Sequence, residues 1–169
     1  MIIDCLIPAR AGSKGILKKN IVPLKQIPLI GYTICVAKQS KFIRNVYVST
    51  DSKEIAEIAM SFGAITPFLR PDNLSTDKST DKEVFIHFLE SLKKLGLEKS
   101  DYLVHLRPTT PGRKVEVIDK AINDFCRDDK SSSLRSAHLT KDCPFKWFKI
   151  KDNYFHPIFD NNQNLEVHN

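Results

Sequence analysis

The stretch "IPARAGSKGILKKN", residues 7–20, decides how the rest of the chain is read. It grows out of an apolar run, "MIIDCLIP" at 1–8, whose composition predicts a buried strand stopping at Pro8. A loop follows that holds two glycines, a serine and the cations Arg10, Lys14, Lys18 and Lys19. Gly12 and Gly15 let backbone amides approach an anion, Ser13 adds a hydroxyl, and Arg10 offers a two-pronged fork. At the carboxyl end of a strand such a loop suits a polyphosphate. The spacing excludes a Walker A loop, which needs GxxxxGK[ST] with the lysine opening a helix, because Pro23 and a second loop come next. GxGxxG is excluded as well. The residues alone also leave open a solvated basic turn.

Outward from this stretch, strand-like runs recur at "NVYVST" (45–50), "AITPFL" (64–69), "DYLVHLRP" (101–108) and "SSSLRSA" (131–137). Between them lie helical patterns. "PLIGYTICVAKQS" (28–40) puts Leu29, Ile30, Thr33, Ile34 and Ala37 on one face. "STDSKEIAEIAMSFG" (49–63) supplies a capping Asp51, Glu54 three residues later and a closing Gly63. "STDKSTDKEVFIHFLESLKKLG" (75–96) repeats the scheme with Val84, Phe85, Phe88, Leu89 and Leu92, ending at Gly96, and "KVEVIDKAINDFC" (114–126) predicts a fourth helix. Alternating strands and helices imply an α/β fold, a mainly parallel sheet with helices on both faces, and ligands beyond the carboxyl ends of its strands. Further on, "CPFKWFKIKDNYFHPIF" (143–159) predicts a hairpin turning at Asp152 and Asn153. No repeat or linker interrupts the chain, so residues 1–169 are expected to form a single domain.

Composition narrows the function classes. A 169-residue chain with 41% apolar and 27% charged residues is ordinary for one globular domain. No run approaches the roughly 18 apolar residues of a membrane helix, and the N-terminus lacks a signal-peptide layout, so a cytoplasmic protein without membrane contact is expected. The net charge of +6 is scattered and accompanied by no aromatic RNA-binding motif. A polyanionic small molecule, and no nucleic acid, is the expected partner. Cys5, Cys35, Cys126 and Cys143 lack CxxC or zinc spacing and are expected as buried free thiols. His87, His105, His138, His156 and His168 share no ligand spacing and read as structural or surface residues.

The opening stretch, extended as "IPARAGSKGILKKNI", resembles the signature of the N-acylneuraminate cytidylyltransferases, whose usual form is IPARGGSKGIPRKNI. "PLIGYTI", "VYVSTDSKEIAEIAMSFGA", "PFLRPDNLSTDKSTD", "LRPTTP" and "CPFKWF" resemble further family segments in order and spacing. The resemblance implies a Rossmann-like nucleotidyltransferase fold that uses CTP, a nonulosonic acid and Mg2+, releases pyrophosphate, and forms a homodimer at full length. It implies that Ala9, Arg10, Ala11, Gly12, Ser13 and Lys14 bind the nucleotide, that Arg10 and Lys19 are the catalytic cations, and that Asn20 meets the nucleotide's polar groups.

The same resemblance places Arg70 beside the base or ribose, where a salt bridge to Asp72 or Asp77 is the alternative. Thr80 and Asp81 fall in the nucleotide region, although Ser75, Thr76, Ser79 and Thr80 also suit helix capping. Asp81 stands where better-known members have serine. Arg107, Thr109, Thr110 and Lys146 fall on the sugar side. Arg107 replaces a glutamine there, and a cation at that position could pair with the sugar's carboxylate or reach a phosphate. Lys146 equally suits an exposed strand. The family's acidic metal motif and PNGAIY-like segment do not occur, so no metal ligand is assigned. Mg2+ is expected on the CTP phosphates, and the catalytic domain is expected to be incomplete at its C-terminus. A non-catalytic nucleotide-binding remnant and a 3-deoxy-manno-octulosonate cytidylyltransferase are the alternatives, the latter favouring a loop without SKG.

Overall fold

Along the chain run β1 (Ile3–Pro8), a short ribbon of β2 (Pro23–Leu24) and β3 (Ile27–Pro28), α1 (Leu29–Lys38), β4 (Val46–Ser49), α2 (Lys53–Ser61), α3 (Asp81–Lys94), β5 (Tyr102–His105) and α4 (Val115–Cys126). The computed structural model describes residues 1–13, 15–137, 139 and 147–158. β4, β1 and β5 form a three-stranded sheet in that order, with β1 in the middle and both pairings parallel. The chain therefore leaves β1 in one direction to reach β4 and returns past it to reach β5. Such a reversal opens a crevice at the carboxyl end of the strand where it happens.

Period-two alternation in β1 sorts the two faces. Ile3, Cys5 and Ile7, with Val46 and Val48, pack with Ile30 and Ile34 of α1, Ile55 and Ala59 of α2, and Ile118 and Ile122 of α4. Leu6 and Tyr47 point the other way and pack with Phe88 and Leu92 of α3. The expected sheet covered on both faces is what the structure shows. Asp4 also faces the α3 side and is fully buried. Its carboxylate accepts from Arg44 Nε (3.1 Å) and Nη2 (2.8 Å) and from the Asn45 backbone N–H (3.1 Å). A buried charge held this way is compensated rather than stranded.

Several local expectations are corrected. "AITPFL" contributes only an isolated bridge, Tyr47 to Ile65, because Pro67 cannot donate to a ladder. "SSSLRSA" forms no strand, consistent with a run of small polar residues that has no apolar face to bury. The N-cap of α2 is Ser52, whose Oγ accepts from Ile55 N, and not Asp51. Gly63 (φ +82°) and Gly96 (φ +67°) do sit in the left-handed region just past α2 and α3. Among the described cysteines all are free, but only Cys5 is buried, since Cys35 lies on the solvent side of α1. Cys143, His138 and His168 lie outside the described residues. No helix among the described residues is long and apolar enough to cross a membrane.

The chain divides after Ser132 into two compact units. In the second, β6 (Phe148–Lys151) and β7 (Tyr154–Pro157) make an antiparallel hairpin. Its turn is Asp152 (φ +52°) and Asn153 (φ +64°), the positive-φ pair that a two-residue hairpin loop demands.

Phe88 and Ile86 test the orientation of α3, since the first is buried and the second exposed. Phe88→Ala should cost about 3–5 kcal/mol and Ile86→Ala no more than about 0.5 kcal/mol in urea unfolding. Equal losses would mean that α3 presents a different face.

Candidate functional site

Arg10 and Arg107 both lie just past the carboxyl ends of neighbouring strands, β1 and β5, and so flank the crevice at the reversal. The loop after β1 is tied down from two sides. Asn20, buried in the 3₁₀ turn Lys19–Ile21, donates from Nδ2 to the Arg10 carbonyl at 2.9 Å. Asp51, just past β4, accepts from the Ala11 backbone N–H at 2.8 Å. Among the described loop residues Lys18 is left-handed (φ +50°), and its amine donates to Glu54 of α2 at 2.7 and 3.0 Å. Gly12 and Gly15 are exposed, neither has positive φ, and a Cβ at Gly12 would reach only Arg10 Nη1, at 3.9 Å. Their expected role in close backbone approach is thus not imposed by packing within the chain. Ser13 and Lys19 are half-buried, and Lys19 has no ion-pair partner among the described residues. Lys14 lies outside them.

A second segment, 70–81, crosses to the same edge. Arg70 is only 4% exposed; its backbone N–H donates to the Thr50 carbonyl at 2.7 Å and its Nε to Ser75 Oγ at 3.1 Å. Burial lowers its pKa, with Asp51 opposing and Arg10 adding to that effect. Arg70 pairs with neither Asp72 nor Asp77. Asp77 instead accepts from Arg10 Nη2 at 2.5 Å. Both side chains of that pair are about one-third exposed, so it is worth about 0–1 kcal/mol.

Thr80 caps α3 in a reciprocal box with Glu83: its Oγ1 accepts from Glu83 N at 3.3 Å and donates to Glu83 Oε2 at 2.8 Å. The bonds from the Thr80 backbone and hydroxyl hold the Glu83 carboxyl below its usual range. Asp81 accepts from Arg107 Nη2 at 2.5 Å. Ala9 is buried beneath the loop, while Thr109 and Thr110 are exposed just beyond Arg107. Lys146 lies outside the described residues. The geometry thus gathers residues 9–13, Asn20, Arg70, Asp51 and Asp77 around one loop, and Asp81 with Arg107 at its flank. Asp51 and Asp77 were missed as site residues. Asp51 had a signal, an acid directly after a strand, but helix capping explained it equally well.

A family model described as cytidylyltransferase matches residues 5–156. The chain belongs to the cytidylyltransferase family. It is 42% identical over 122 residues to the CMP-N,N'-diacetyllegionaminic acid synthase of Legionella pneumophila, covering 72% of this chain and 52% of that protein. It is 36% identical over 124 residues to a pseudaminic acid cytidylyltransferase of Campylobacter jejuni, covering 73% and 53%. A solved CMP:2-keto-3-deoxy-manno-octonic acid synthetase complexed with CTP superposes with a TM-score of 0.64 at 18% identity, over 77% of this chain and 49% of that one, and shows the shared fold. The chain spans about half the length of these curated relatives.

His87 of this cytidylyltransferase-family chain packs edge-to-face on Phe68 at 5.4 Å. Burial lowers its pKa, and the charges of Arg70 and Lys94 add to that while Glu90 opposes it. The unfolded chain therefore takes up a proton near pH 6.5 that the folded chain refuses. Stability should be full above about pH 6.5 and fall as pH drops toward the lowered folded value. Urea unfolding at about pH 7 and 5.5 should show this loss reduced in His87→Gln; an unchanged loss would remove His87 as its source.

Proposed function

We propose that residues 1–169 act as one catalytic domain that transfers CMP from CTP to a nonulosonic acid of the legionaminic, pseudaminic or sialic type. The observation that supports this reading is that the β1 loop and buried Arg70, whose charge is felt by Arg10, lie at the same carboxyl edge of the sheet, in a chain similar to enzymes named for these acids. In the proposed reaction a hydroxyl oxygen of the acid forms a bond to the α-phosphorus of CTP. The α–β anhydride bond breaks, pyrophosphate leaves with the electron pair, and the hydroxyl proton passes to solvent.

Such a reaction asks the protein mainly for alignment and for charge stabilisation on the phosphates. Residues 9–14 are assigned to the triphosphate, with Arg10 and Lys19 bearing its developing charge. Asn20 fixes the loop through the Arg10 carbonyl, Arg70 faces the nucleoside, and Thr80 contributes through the helix it caps. Arg107, Thr109, Thr110 and Lys146 are assigned to the acid.

Magnesium ordinarily binds one or two carboxylates together with phosphates. Here Asp51 is engaged by Ala11 and Asp77 by Arg10, and no group of three metal-binding side chains gathers among the described residues. An Mg2+ ion is proposed only as carried by the CTP phosphates.

Calorimetry with CTP, UTP, ATP and GTP in the presence of Mg2+ tests the nucleotide half, and pyrophosphate release on adding an acid tests the transfer. CTP should bind best. Arg10→Ala and Lys19→Ala should each lose about 1.5–3 kcal/mol of affinity, roughly tenfold to a hundredfold, with unchanged melting temperature. CTP affinity equal to wild type in both variants would overturn the assignment. CTP binding without pyrophosphate release for any acid would favour a non-catalytic nucleotide-binding domain.

A further inference from the structure

The first turn of α3 is joined to the segment after β5 by one ion pair, Arg107 Nη2 donating to Asp81 Oδ2 at 2.5 Å. Each partner is anchored at its base. Asp81 is the first residue of α3, and the Thr80–Glu83 capping box fixes where that helix begins. The Arg107 carbonyl accepts weak bonds from Thr33 Oγ1 (3.4 Å) and Arg113 Nη2 (3.5 Å). What remains to be set is the direction of a long side chain that is 64% exposed.

A guanidinium held by one carboxylate can still serve another, as Arg44 does in this chain. Arg44 gives Nε and Nη2 to Asp4 and Nη1 to Glu98. Arg107 engages Asp81 through Nη2, and among the described residues its Nε and Nη1 make no bond. The pair is also neutral as a unit, so its pull on a multiply charged phosphate is weaker than that of a lone arginine, while its directed N–H groups still suit a single carboxylate.

We propose that Asp81 is a positioning residue that turns Arg107 toward the carboxylate of the acid substrate, so that the pair favours the acid over the phosphates. This rests on the acid-binding reading under Proposed function. Asp81 acts through Arg107 and touches neither substrate.

The test is a double-mutant cycle on the 169-residue chain, with CTP and each acid titrated separately by calorimetry. N,N'-diacetyllegionaminic, pseudaminic and N-acetylneuraminic acids are the probes, and the one that wild type binds best is followed. Asp81→Asn should weaken acid binding about tenfold and leave CTP affinity within about twofold, and Asp81→Glu should recover part of the loss. In an Arg107→Gln background Asp81→Asn should add no further loss, and any cost to the start of α3 cancels between the two backgrounds. Unchanged or tighter acid binding in Asp81→Asn, a change confined to CTP, or an undiminished effect without Arg107 would each overturn the positioning role. A wild-type chain that binds CTP but none of the acids would overturn the acid reading itself, and this inference with it.

Discussion

β1 is hydrogen-bonded along both edges and packed on both faces, and the rest of the structure follows from that constraint. A strand with a parallel neighbour on each side requires the chain to cross once in each direction, and with right-handed crossovers the two returns use opposite faces. Helix α1 takes one face and α3 the other. The two ends of β1 then serve different purposes. At its amino end the buried Asp4 carboxylate gathers Arg44 and Asn45 and ties the β4 side of the sheet to β1. At its carboxyl end the backbone runs out into the reversal crevice, and Arg10 comes two residues after Pro8.

The segment 70–81 runs along that edge. Its backbone is tied beside β4 through Arg70, its middle reaches Arg10 through Asp77, and its end reaches Arg107 through Asp81. The first tie is buried, and the other two are partly exposed ion pairs. Exposed pairs of this kind contribute little to stability, so the segment is held in register by Arg70 while its acidic contacts stay exchangeable.

Much of this was legible in the sequence where local chemistry and tertiary packing agree. The strand before the loop, the four amphipathic helices, Gly63, Gly96 and the Asp152–Asn153 turn each have one local explanation, and the structure uses it. The misreadings fall where two roles compete for one residue. Asp51 and Ser52 are both good caps, and only the proximity of Ala11 decides that the carboxylate goes to the loop. For Arg70 the salt bridge to Asp72 or Asp77 was only the alternative reading, and the side chain uses the Ser75 hydroxyl instead. The Lys25–Gln26 turn (φ +48° and +71°) between β2 and β3 lacks the glycine or asparagine that would have announced it. Asp81 and Arg107, 26 positions apart, read as two separate departures from a family pattern, and only the fold shows them as one pair.

That pairing bears on how the site handles charge. The chain carries a formal +6, scattered along the sequence. At the crevice, however, Arg10 is matched by Asp77, Arg107 by Asp81 and Lys18 by Glu54, while Asp51 lies close enough to Arg70 to act on its charge. Among the described residues the net charge at this edge is far smaller than a count of its cations implies. Under the proposed reading a nucleotide triphosphate would be held by directed donors, meaning the loop amides, the remaining N–H groups of Arg10 and Lys19, which has no ion-pair partner among the described residues, rather than by a diffuse positive field. Directed donors fix orientation, which is what in-line transfer requires, whereas a diffuse field would bind many anions equally well. Under that reading the phosphate charge left over would be met by an Mg2+ ion carried by CTP, as proposed above.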